Sequence, residues 1–136
     1  MKAVLDTNVF VSGIHWKGSS SKIIEAMHAN KFESVTSDEI LREFVEVMNG
    51  FKIPLPNEAV MNWENFIMRK SEIVLPKQRF DAVKNDPDDN KFIEAAIEGN
   101  CDCIVSKDKK HLLAMKEFRG IKIVSPEEFL NLINKN

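Results

Sequence analysis

The chain has 136 residues, 43% hydrophobic and 29% charged, with 19 Lys and Arg against 21 Asp and Glu, for a formal net charge of −2. That size fits one compact domain spanning residues 1–136, and the slightly acidic balance excludes a passive nucleic-acid coat, which is strongly basic, but not an enzyme whose acidic site holds cations. No apolar run approaches the ~20 residues needed to cross a bilayer, no signal peptide is visible ahead of the first apolar run, and the expected location is cytoplasmic.

Residues 2–6 predict a first strand that ends on Asp6. Apolar character resumes at Val9-Phe10-Val11, past Asp6-Thr7-Asn8. A carboxylate taken out of water without partners costs many kcal/mol, so Asp6 needs a cation, hydrogen-bond donors or a proton. Trp16 falls in the loop behind this strand, where packing against a helix or a dimer mate is favoured over stacking on a base. Gly18 and three serines precede a helix over 21–30, and residues 33–36 suit a short strand. Thr36 with Glu39 matches a T-x-x-E capping box, opening a helix to about Met48 that Gly50 ends.

Pro54 and Pro56 mark a loop, and residues 57–69 predict another helix, with Trp63, Phe66, Ile67 and Met68 assigned to the core or a dimer surface. Residues 71–75 form a strand cut by Pro76. Asp86, as cap before Pro87, starts a helix running to Gly99. Residues 103–106 make a strand, 109–116 a short helix and 121–124 the last strand. Ser125-Pro126-Glu127-Glu128 is a capping box with Pro at the first helical position. Cys101 and Cys103 lie two apart in an extended segment, ~7 Å between side chains, too far for a mutual disulfide. Four-ligand zinc spacing is absent, so Cys103 is a buried strand residue and Cys101 incidental. The alternation predicts an α/β, doubly wound, mainly parallel sheet of about five strands flanked by helices, with ligands at the carboxyl ends of the strands.

Among the acids, those that end an apolar strand or lie on or beside a helix's apolar stripe are site candidates. Asp6 and Asp108 meet the first criterion, although Asp108 also suits a helix N-cap. On the helix through residues 37–48, Glu43 lies about 40° from Val47 and closest to the apolar sector. On the helix that follows Pro87, Asp89 shares the stripe of Phe92, Ile93 and Ala96, while Asp88 is rotated by about 100°. Two like charges about 4 Å apart repel by roughly 4 kcal/mol at an effective dielectric of 20, so four converging carboxylates need cations. Oxygen-only ligation favours Mg²⁺ or Mn²⁺ over Zn²⁺, and such centres suit phosphodiester chemistry. On this argument Asp6 is expected to be a metal ligand.

The stretches VLDTNVFVSG (4–13), SDEILREFVEVM (37–48), NDPDDNKFIEAAIEGNCDCIVSKD (85–108) and IVSPEEFL (123–130), in this order and spacing, resemble the PIN-domain ribonucleases, especially the toxins of bacterial and archaeal toxin–antitoxin pairs. The resemblance spans essentially the whole chain. It implies catalytic, metal-binding acids at Asp6, Glu43, Asp89 and Asp108, with Asn8 and Ser106 as supporting polar residues. It implies a Mg²⁺- or Mn²⁺-dependent endoribonuclease acting by in-line attack of water and leaving a 5′-phosphate and a 3′-hydroxyl. A homodimer and a small inhibitory antitoxin are implied as well. Several relatives carry a further acid where Lys110 stands here, which bears on a complete second metal site. Lys107, Lys109, Lys110 and His111 are candidate contacts to the RNA backbone, set against a solvated basic turn.

Other readings fit less well. A haloacid-dehalogenase-type phosphohydrolase needs D-x-D, and Asn8 stands where the second Asp belongs. A receiver-like phosphoacceptor needs an Asp at the end of the third strand, which here ends at Pro76. A non-catalytic PIN-like module that binds RNA or protein is the alternative that the low pI and Lys110 keep open.

Overall fold

A computed structural model describes residues 1–52, 54–84 and 86–135. Strand β1 (Lys2–Leu5) leads into helix α1 (Thr7–His15), then α2 (Ser19–His28), β2 (Glu33–Ser37), α3 (Asp38–Asn49), α4 (Asn57–Lys70) and β3 (Ser71–Val74). A 3₁₀ turn at Pro87–Asp89 opens α5 (Asn90–Glu98), followed by β4 (Cys103–Val105), α6 (Leu112–Met115), β5 (Glu117–Phe118), β6 (Ile121–Val124) and α7 (Pro126–Asn134). The six strands lie in the order β3-β2-β1-β4-β6-β5. All neighbours are parallel except β5, which runs antiparallel to β6.

The sheet is buried on both faces, as a parallel sheet joined by helical crossovers must be. Alternation along each strand sorts its side chains. Ala3 and Leu5 of β1, with Cys103 and Val105 of β4, face one core with Phe10, Phe44 and Phe129. Val4 and Ile104, register partners on the same strands, face the other core with Phe92, Ile93 and Leu112. The chain winds outward from β1 to β2 and β3 on one side and through β4 to β6 on the other. The carboxyl ends of β1 and β4 are therefore the switch point, where such sheets bind ligands.

Several local expectations change. The segment after β1 is a helix, not a loop, because the Asp6 carboxylate caps it by accepting from the Val9 N–H at 3.0 Å. Burial of Val9, Phe10 and Val11 overrides the strand preference of β-branched residues. Trp16, at the end of this helix, is 54% exposed, so the chain itself covers less than half of it. The Thr36–Glu39 capping box does not form, because β2 extends through Ser37, which pairs with Val74. Ser37 becomes the cap, accepting from the Ile40 N–H at 3.4 Å, and leaves the Thr36 hydroxyl buried without a partner.

The helix expected from Asp86 onward starts as the 3₁₀ turn, in which the Asp89 N–H reaches the Asp86 carbonyl at 3.0 Å. Asp86 makes no side-chain cap there. The sixth strand, β5, was not expected. It joins β6 through Arg119 and Gly120, both with positive φ (50° and 85°), as a two-residue hairpin of this hand requires. The Ser125 capping box forms as expected, with both reciprocal hydrogen bonds. Cys101 and Cys103 are both free and buried, and burial pushes each thiol up to about 12. Cys101 is thus part of the core rather than incidental.

Candidate active site

Asp6, Glu43, Asp89 and Asp108 all line one cleft of about 250 Å³ at the carboxyl ends of β1 and β4, with Thr7, Asn8, Asp86, Asp88 and Phe92. Each reaches it from a different element. Asp6 ends β1 and is 3% exposed. Its oxygens accept from the Val9 N–H (3.0 Å), the Ser106 hydroxyl and the Lys107 N–H (3.4 Å). Those donors answer part of the desolvation cost, but burial still lifts the carboxyl to about 6, with the Asp108 charge adding to it. Ser106 spans the site, since its oxygen also accepts from the Asp108 N–H at 3.0 Å.

Asp89 and Asp108 are shifted in opposite directions. Burial first, then the hydrogen bond with Asp108 and repulsion from Asp86, Asp108 and Asp6, lifts Asp89 to about 8. Asp108 goes the other way. Burial pushes it up but is outweighed by the hydrogen bond from Asp89 and by the His111 backbone and ring, so it stays below the ordinary value. The Asp89 Oδ2 is enclosed and has no hydrogen-bond partner. An enclosed carboxylate oxygen with no donor is a position for a cation.

The structure also assembles a group that differs from the sequence set. Asp86, Asp89, Asp108 and His111 offer ligand atoms all within 4.8 Å of one another, and the set shares only Asp89 and Asp108 with the four acids singled out by pattern. His111 Nδ1 lies 3.1 Å from Asp108 Oδ2 and 3.7 Å from Asp86 Oδ2, turned into the site rather than toward solvent. Asp86 is placed by the segment before it. The Asn90 Oδ1 accepts from Ala82 N–H (3.0 Å) and Val83 N–H (2.8 Å), and buried Glu94 holds Arg79 (2.8 Å) and Phe80 N–H (3.0 Å). An unpaired oxygen, three carboxylates and an imidazole fit a divalent cation.

Glu43 stands at the other end. Its Oε1 accepts from the Thr7 hydroxyl, and its Oε2 pairs with Lys91 Nζ at 2.8 Å. The pattern reading passed over Lys91. One signal was available: Lys91 sits in the first turn of α5, where the helix dipole disfavours a cation by roughly 0.3–1 kcal/mol, so its placement needs a partner. Lys107 donates to the Ser12 hydroxyl at 2.9 Å, while the Lys109 and Lys110 side chains are exposed at the rim. Asn85, which opens the motif at 85–108, lies outside the described residues.

A family profile described as the PIN domain matches residues 2–110. No curated protein matches the sequence. Among solved structures, the chain is similar to VapBC2 from Rickettsia felis, bound to a DNA fragment from their promoter, at 16% identity over 92% of this chain and 98% of that one, with a TM-score of 0.64. It is also similar to PAE2754 from Pyrobaculum aerophilum, at 12% identity over 100% of this chain and 91% of that one, with a TM-score of 0.61. At these identities the likeness is one of fold. With the profile covering most of its length, the chain belongs to the PIN domain family.

Proposed function

We propose that this protein is a Mg²⁺- or Mn²⁺-dependent endoribonuclease and the toxin of a toxin–antitoxin pair, working as a homodimer beside a small antitoxin. The observation that carries the nuclease reading is the acidic cleft at the switch point, with an enclosed Asp89 oxygen that lacks any donor. Its likeness to VapBC2, solved with promoter DNA, supports the partner reading.

Asp89 and Asp108, with Asp86 and His111, would hold the cation, and Asp6 and Glu43 complete the acidic wall. When bound, a divalent cation polarises the scissile phosphate and makes a nucleophile available at neutral pH. The protein supplies the rest. Ser106, held between the Asp6 carboxylate and the Asp108 N–H, locks the two strand-end acids together. The Asp89 carboxyl, lifted to about 8, would give up its proton to solvent on ligating a cation, which would replace the proton as counter-charge. Asn8, exposed at the mouth of the cleft, orients substrate or water. An acidic cleft repels an RNA backbone, so Lys107, Lys109 and Lys110 at the rim contact phosphates flanking the cut.

The test is cleavage of single-stranded RNA by purified protein with Mg²⁺, Mn²⁺ or a chelator, with an Asp6→Asn variant to control for contaminating nuclease. Metal-dependent cutting that the variant lacks supports the proposal. No cutting under any condition overturns it in favour of a binding module.

A further inference from the structure

The two ends of the acidic cleft have opposite needs. At one, the Asp89 oxygen has no donor and lies among Asp86, Asp108 and His111. At the other, both oxygens of Glu43 are taken, one by the Thr7 hydroxyl and one by the Lys91 ammonium at 2.8 Å. Lys91 is not a surface lysine that happens to pass. Its side chain is only 12% exposed and Glu43 only 28%, so the pair is largely shielded from bulk solvent and from salt. A divalent cation on Glu43 would have to displace the ammonium and leave it enclosed without a counter-charge, which is strongly unfavourable.

We infer that Lys91 is a positioning residue that stands in for a second metal ion. It fixes Glu43 and limits the centre to a single divalent cation at the Asp86, Asp89, Asp108 and His111 end. The inference rests on the metal-centre reading above and adds to it the stoichiometry and the residue that sets it. The ammonium neutralises the carboxylate that would otherwise draw the second cation, and it provides a fixed positive charge beside the Glu43 wall of the cleft that does not depend on metal concentration.

The experiment is Mn²⁺ titration by calorimetry, with electron paramagnetic resonance counting bound ion, on the full chain and on Lys91→Met, Lys91→Gln and Lys91→Arg. Thermal melting reports that each variant is folded. The expected result is one equivalent of Mn²⁺ in the parent. Lys91→Met and Lys91→Gln gain a second, weaker equivalent as Glu43 is freed, and Lys91→Arg returns to one. A role confined to packing would alter melting without altering the count. Two equivalents in the parent, or one in folded Lys91→Met and Lys91→Gln, overturns the assignment of Lys91 while leaving the metal centre in place. No bound Mn²⁺ in any of the four proteins overturns the metal-centre reading itself, and this assignment with it.

Discussion

Replacing Asp89 with Asn separates what the cleft does for stability from what it does for chemistry. Asp89 is lifted from 3.8 to about 8, mainly by burial and by its acidic neighbours. A carboxyl whose folded pKa is raised contributes stability that is fully present below the unfolded value and lost as pH rises through the folded one. At about 1.4 kcal/mol per pH unit, ionising Asp89 costs the folded state at most about 4 kcal/mol near neutral pH. Asp89 keeps part of its surface in water, and screening brings that to about 1–2 kcal/mol. Asn is neutral at every pH, and its amide offers Asp108 a donor in place of the Asp89 carboxyl. In chelator, Asp89→Asn therefore melts about 3–8 °C above the parent at about pH 8, and the two curves converge toward about pH 4. A residual slope remains in the variant below about pH 6, from Asp6. With Mn²⁺ at about 100 times its Kd the order reverses, since binding stabilises the parent by about 2.7 kcal/mol and the variant by much less. Cleavage is abolished in the variant. Calorimetric melts from about pH 4 to pH 8, with and without Mn²⁺, check this. A variant that melts below the parent in chelator at alkaline pH, or that keeps the full pH slope, refutes the assignment of the proton to Asp89.

Three further outcomes follow from local geometry. Thr36→Val leaves stability unchanged or raises it by up to about 1 kcal/mol in urea unfolding, because the hydroxyl is buried without a partner, whereas Ser37→Ala costs about 1 kcal/mol by removing the cap. Gly13→Ala destabilises by about 1–3 kcal/mol, since a Cβ there would lie 2.6 Å from Ile24 Cδ1 and 2.7 Å from the Ser20 carbonyl, forcing α1 and α2 apart. Asp6→Asn loses cleavage but still accepts from the Val9 N–H, so it unfolds later in urea than Asp6→Ala, which loses the cap at a cost of about 1–2 kcal/mol.

The two ends of the cleft explain how so many acids coexist. Asp6 is satisfied by donors at a helix start, Glu43 by a lysine, and Asp108 by the N–H groups and ring of its own loop. Of these four acids, Asp89 alone has a buried oxygen without a partner among the described residues. That unserved oxygen distinguishes Asp89 from Asp6, Glu43 and Asp108, which line the cleft with it.

Periodicity and strand-end position were enough to read the α/β alternation, most of the elements in order, the capped last helix, and Asp6 and Asp108 at the carboxyl ends of strands. These features depend on residues within a few positions of one another, where spacing alone sets which face a side chain takes. Asp89 was also found by its stripe, although the turn that carries it is 3₁₀ rather than α. Tertiary structure decided the rest. Whether Val9-Phe10-Val11 coils or extends depended on the Asp6 cap and on burial, not on propensity. Thr36 lost its cap because β2 found β3 as a partner. Lys91 meeting Glu43, His111 meeting Asp86, and Ser106 reaching Asp6 across 100 residues are contacts between segments that only the folded sheet brings together. A charge's partner is chosen by distance in space, and no local pattern in the chain encodes that distance.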